Sequence, residues 1–274
     1  MPEDAEPPVR HPAVPSRESV QRWRLVLRRD ALDGAQVQKE QLAAWEAALR
    51  GSALPIAGLD AENGRPRFAF AAPLAPAIPG EAELADLWLV ERLARWTVRA
   101  ALEGSLPAGS TLLDLYDVWL GEPALPGQVV ASTYRARLTG PAVDAAAIGA
   151  AAGAILASPE LPRERQRGDR TVAYDLRPFI ETVAVEPGPG GATDIVMVLR
   201  HDPEKGIGRP DEVLAELGER SGASLGDASV VRTRLILAER PPEAHRSPGR
   251  PAPRRGHSGA ASGAGAVAAS RPRK

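Results

Sequence analysis

The stretch GRPRFAFAAPLAPAIPGEAELADLWLVE, residues 64–91, holds two extended segments around a proline-rich connection. RPRFAFA sets Phe68 and Phe70 at alternate positions, and ELADLWLVE (83–91) is again apolar and free of breakers, so both read as strands. The prolines of AAPLAPAIPG forbid a helix between them. Helical patterns flank this pair of strands. Upstream, Asp33 and Gly34 open AQVQKEQLAAWEAALRG, in which Val37, Leu42, Trp45 and Leu49 form an apolar stripe and Gly51 ends it. Downstream, ARWTVRAALEGSLP is a second helix, ending near Gly104. RWRLVLR (22–28), with Trp23, Leu25 and Leu27 on one face, precedes the set, and STLLDLYDVWL (110–120) closes it. The order is β-α-β-β-α-β, that of a ferredoxin-like unit.

The same order recurs. VVASTYRARL (129–138) is a strand, and AVDAAAIGAAAGAILAS a helix bounded by Pro141 and Pro159. LPRERQR and RTVAYDLRPFI are strands around the turn pair Gly168–Asp169, with ETVAVE as an extension of the second. TDIVMVLRH (193–201) is a strand, RPDEVLAELGE a helix, and ASVVRTRLILAE (228–239) a closing strand with Val231, Thr233, Leu235 and Leu237 on one face. The expectation is an α+β chain of two ferredoxin-like halves, residues 21–121 and 128–240, packed as one unit. Residues 1–20 and 241–274 lack core-forming side chains and are expected to be disordered.

Composition narrows the function classes. The 274 residues suffice for a sizeable core. With no cysteine, the chain has no disulfide, thiolate zinc site or cysteine-ligated iron–sulfur cluster, which fits a cytoplasmic protein. No apolar run approaches the roughly 18 residues of a membrane span, and the acidic, proline-rich start MPEDAEPPVRHPAVPSRES is unlike a signal peptide. No membrane partner, cofactor or metal is therefore expected. Only three of the 34 basic residues are lysine, a bias of composition that makes arginine number a poor sign of phosphate binding. The tail from Pro241 carries net charge +6 and residues 1–20 carry −2, which leaves −5 for residues 21–240. A nucleic-acid-binding core usually has the opposite sign.

Taken together, GRPRFAFAAPLAPAIPGEAELADLWL, DRTVAYDLRPFIETV, GIGRPDEVLAEL and VVRTRLIL make the chain resemble the radical-SAM-linked protein family over about residues 21–240. Its members are bacterial domains of unknown function, fused to a radical-SAM protein or encoded beside one. The resemblance implies a non-catalytic accessory or substrate-handling role with a radical-SAM partner, which would own the cluster. RNA, held between the halves and by the basic tail, is the alternative partner. The chain departs from the family where ALDGAQVQKEQ and LDAENGRPRF lack the histidines that members often carry there.

Four places could carry chemistry. The beat Arg67-Phe68-Ala69-Phe70 is that of a base-stacking strand, as in RNA-recognition motifs. However, Arg67 stands where such motifs have glycine, and Ala72 where a third aromatic is expected. A buried strand is the favoured reading, with Arg65 and Arg67 on the opposite face as the binding candidates. Glu81, Glu83 and Asp86 crowd one segment and could hold a cation or do acid–base work, though a solvated strand entrance is the plainer reading. Arg209, in GIGRPDEVLAEL, precedes a helix and could meet a phosphate, but Asp211 and Glu212 already complement the helix dipole there. His201 is the one histidine of the expected folded part, too little for a Ser-His-Asp set and read as a surface residue.

Overall fold

A computed structural model describes residues 17–32, 38–61, 64–139, 144–167 and 169–239. Their elements run β1 (Gln21–Arg29), α1 (Gln38–Gly51), β2 (Phe68–Phe70), β3 (Gly80–Leu89), α2 (Arg95–Glu103) and β4 (Ser110–Val118) in the first half. The second half has β5 (Val129–Leu138), α3 (Ala145–Ala157), β6 (Pro162–Arg167), β7 (Arg170–Asp175), β8 (Ile180–Pro187), β9 (Thr193–Asp202), β10 (Gly206–Ile207), α4 (Pro210–Ser221) and β11 (Ser229–Leu237). The fold is α+β. Nine strands share one sheet in the order β10-β9-β5-β11-β3-β1-β4, with β2 beside β3 and β8 beside β9, and β6 and β7 form a separate hairpin. All pairings are antiparallel except the junction between halves, where β11 runs parallel to β3 and Arg232 lies opposite Gly80.

Side-chain alternation explains the layers. Trp23, Leu25 and Leu27 of β1, with Ala85, Leu87 and Leu89 of β3, bury against Trp45 and Leu49 of α1 and Val98 and Leu102 of α2. In the second half, Tyr134, Ala136 and Leu138 of β5 and Ile195, Met197 and Leu199 of β9 bury against α3 and α4. Asp144 caps α3 by accepting from the Ala147 N–H at 2.9 Å. Pro210 opens α4 and Asp211 and Glu212 occupy its first turn. The two cores lie on the same side of the sheet: Leu27 and Arg29 face Glu83 and Gly80, Gly80 is level with Arg232, and Arg232 lies opposite Tyr134. The β6–β7 hairpin is fastened to α4 by ion pairs from Arg165 to Glu212 at 2.8 Å and from Arg163 to Glu216.

Several expectations need correction. The strand over RPRFAFA shrinks to Phe68–Phe70, and the one expected at 83–91 starts at Gly80. ETVAVE does not extend β7: a 3-10 turn at Arg177–Phe179 turns the chain, and β8 pairs with β9 instead. Leu42 is 47% exposed rather than part of the buried stripe, while Val37 and Gly168 lie outside the described residues. Thr233 is a bulge between Arg232 and Arg234, so Arg232 shares the helix-covered face with Leu235 and Val231 does not. Residues 1–16 and 240–274 also lie outside the described residues. Arg17–Val20 belong to the folded body: the Val20 N–H donates to the Leu89 carbonyl at 2.9 Å, and Arg17 pairs with Glu91 at 3.4 Å. No helix among the described residues is long and apolar enough to cross a membrane.

Candidate functional site

The three acids of the GEAELAD segment part company. Glu81 is exposed and pairs with Arg135 at 2.6 Å. Glu83 is buried on the helix-covered face, where it accepts from Arg232 Nε at 2.9 Å and from Arg232 Nη2. Asp86 is fully buried on the opposite face, where Arg24 Nε donates to it at 2.8 Å and Arg22 donates through Nε at 2.9 Å and Nη2. The reading of a solvated strand entrance therefore holds for Glu81 alone. A β-strand sends Glu83 and Asp86 to opposite faces, so they cannot share a cation or a proton. No group of three or more potential ligands gathers among the described residues.

Arg22 and Arg24 alternate with the apolar residues of β1, a pattern that suggests solvent, yet both are buried. The chain after β4 folds over them. Arg22 Nη1 donates to the Glu122 carbonyl at 2.6 Å and its Nη2 to the Pro123 carbonyl at 3.0 Å. Arg22 also lies 5.0 Å from the Trp88 ring centre, and Arg67 lies 4.7 Å from the same ring.

Phe68 and Phe70 answer the question of base stacking. Their register opposite Leu87 and Ala85 turns them toward α1. There Phe68 stacks on Trp45 with centroids 5.1 Å apart, and Phe70 meets Trp45 edge-on at 5.4 Å. Arg67 points the other way, as expected, and donates to Ser19 Oγ at 3.0 Å. Arg65 is 80% exposed and 4.0 Å from Glu46. Arg209 is exposed before α4, whose first-turn Glu212 is held by Arg165. These three arginines are not brought together with one another or with the acids.

Sequence reasoning missed two features. The first is a cavity of about 780 Å³ between α1, the ends of β1 and β4, and the 71–74 loop. Leu42, Trp45, Phe70 and Leu74 wall it, and Arg29 and Glu83 line its polar side. Arg29 is 8% exposed. It donates through Nη2 to the Ala75 carbonyl at 2.7 Å, and its Nε has no hydrogen-bond partner among the described residues. Burial pushes the Arg29 guanidinium below the usual arginine range, with Glu83 opposing and Arg232 adding to the shift. Gly80 makes this packing possible, because a Cβ there would lie 2.4 Å from the Glu83 carboxylate. Nearby, His201 shares a 2.8 Å hydrogen bond with Ser132 Oγ. Burial and the charge of Arg232 push His201 down to about 4. His201 is half-buried rather than a surface residue, and Ser132 is fully buried, so this pair offers no accessible nucleophile.

The second feature is an apolar edge. β4 ends the sheet, and no described strand pairs with its outer side. Leu113, Tyr116, Trp119 and Leu120 are exposed on or just after it, Trp119 by 67%. Trp96 of the adjoining α2 is 76% exposed. The Trp119 ring lies over Gly121, where a Cβ would sit 2.5 Å from it, so glycine is needed for the ring to rest there. Arg95 and Arg99 of α2 reach β4 at Asp114, Arg99 at 3.7 Å. The apolar-rich run LLDLYDVWL was legible only as a strand; that the strand is terminal in the sheet depends on pairing distant in sequence.

No curated protein matches the chain. Among solved structures, a chain of one described as "Crystal Structure of a Cbf5-Nop10-Gar1 Complex" is similar, at 12% identity and a TM-score of 0.36. The match covers 77% of this chain and 49% of that one, so the chain spans about half the length of the protein it matches. By the match of residues 37–210, the chain belongs to DUF2344, a family described as uncharacterized protein conserved in bacteria.

Proposed function

We propose that this protein is a non-catalytic accessory protein that docks on a radical-SAM partner in the cytoplasm, using the β4 edge and the adjoining face of α2. The single observation that carries the reading is the run of exposed large apolar residues there: Trp96, Leu113, Tyr116, Trp119 and Leu120. Exposed tryptophans beside an unpaired strand edge are costly for a chain that acts alone, and are the composition of a protein–protein interface. The radical-SAM identity of the partner rests on the resemblance of residues 21–240 described above. Each half is read as ferredoxin-like, supported by the strand orders β2-β3-β1-β4 and β8-β9-β5-β11 with two helices on one face. RNA binding has less support, since Phe68 and Phe70 pack under Trp45 and the Arg232–Glu83 pair fills the junction of the halves.

The test is co-expression with the product of a neighbouring reading frame that carries a CxxxCxxC motif, followed by sedimentation analysis. A stable complex is expected, weakened at least about tenfold by the pair Tyr116→Ser and Trp119→Ser, as for loss of interface hot spots. A complex unaffected by that pair would refute docking at this edge. No complex with any such neighbour, together with tight RNA binding by the isolated chain, would favour the rival.

A further inference from the structure

Among the described residues, the Arg29 cavity carries a charge imbalance. Two buried guanidiniums, Arg29 and Arg232, share one carboxylate, Glu83. Arg232 takes both oxygens of Glu83, so among the described residues Arg29 is left with backbone carbonyls and an Nε without a hydrogen-bond partner. A buried cation without a matched anion is unfavourable, and native proteins either pair it or use it. Arg29 lines a space of about 780 Å³, within the range of small-molecule sites.

We propose that this cavity binds a small organic monoanion, a carboxylate carried on a flat apolar body, with Arg29 as its anchor. One negative charge brings Arg29, Arg232 and Glu83 to neutrality. A phosphate dianion would overshoot and would add repulsion from Glu83. The Trp45 and Phe70 rings and Leu42 supply apolar walls, and Gln41 and Ser110 lie within the lining as further hydrogen-bonding groups. This composition, mostly apolar with a few convergent polar groups, is that of a ligand pocket. The inference stands apart from docking at the β4 edge, because it concerns the isolated chain.

Isothermal titration of the full chain with 3-phenylpropionate and with its neutral amide tests it. The acid is expected to bind at least about tenfold tighter than the amide, the equivalent of one charge-assisted hydrogen bond. Arg29→Met should abolish that preference and leave amide binding in place. Leu42→Trp, at an exposed position on the cavity mouth, should block both ligands without disturbing the core, and so decides the matter if Arg29→Met fails to fold. Equal binding of acid and amide would overturn the proposal. So would an acid preference that survives Arg29→Met, binding unaffected by Leu42→Trp, or no binding of either probe.

Discussion

Glu81 and Glu83 stand two residues apart on one strand, and the structure assigns them very different energetic roles. Replacing Glu83 by glutamine keeps size and shape but removes the one carboxylate between Arg29 and Arg232. Arg232 is fully buried and Glu83 is 5% exposed, so solvent cannot compensate the guanidinium that remains. Removing one partner of a buried ion pair costs about 3–5 kcal/mol. At about 2–4 °C per kcal/mol for a domain of this size, Glu83→Gln should lower Tm by about 6 to 20 °C. Glu81→Gln breaks an exposed pair with Arg135 and should cost about 0–1 kcal/mol. Scanning calorimetry at pH 7 on both variants reads the difference. Replacing both Glu83 and Arg232 by leucine and methionine should recover part of the loss, because it removes the unpaired Arg232 charge but leaves Arg29 with backbone carbonyls alone. Equal, small shifts for Glu81→Gln and Glu83→Gln would refute the reasoning and mean that water reaches the junction.

Phe70→Ala should cost about 3 kcal/mol in urea denaturation, the low end for emptying a phenylalanine site, because Phe70 is only half-buried beside Trp45 and Phe68. Arg67→Ala should cost no more than about 1 kcal/mol, the worth of an exposed contact with the Trp88 ring. His201 is held neutral in the fold, with its proton affinity lowered to about 4, whereas the unfolded chain takes up the proton near 6.5. The unfolded state thus binds more protons across this window, and the contribution of His201 to stability falls as pH drops from 6.5 toward 4. Melts at pH 7.5 and 5 should show that fall, and His201→Gln should show a smaller one. Trp119→Ser should leave urea stability within about 0.5 kcal/mol, since its ring is mostly exposed; a large loss would mean that Trp119 supports the fold rather than a partner.

The strands and helices were legible wherever one face alone is buried. β5 was read with its observed bounds because VVASTYRARL alternates cleanly, and α3 because prolines bracket an alanine-rich run that Asp144 caps. The reading failed where charge is buried. Arg22, Arg24 and Arg232 each sit in an alternating pattern that normally means solvent, Arg29 falls on the apolar face of β1 itself, and what partners them comes from far along the chain. Asp86 lies 64 residues from Arg22, and Glu83 lies 149 from Arg232. A local window holds no sign of such partners. The bulge at Thr233, which turns Arg232 inward, likewise has no signal in VVRTRLIL. Of the candidate residues, the orientation of Arg67 away from the phenylalanines and the separation of Glu83 from Asp86 both follow from strand periodicity.

The parallel seam between β11 and β3 bears on how the molecule comes into being. A ribosome delivers the chain from its N-terminus, at about 5–20 residues per second. Arg232 emerges 149 residues after the glutamate it neutralises. For that interval of roughly 7 to 30 seconds, the nascent first half has the Gly80 end of its third strand paired only on its β1 side and Glu83 without its main counter-charge. Final closure of the sheet is a long-range event, the kind that slows folding and leaves strand edges open to wrong partners. Synthesis, not only sequence, therefore sets when this body becomes cooperative, and β11 acts as its latch.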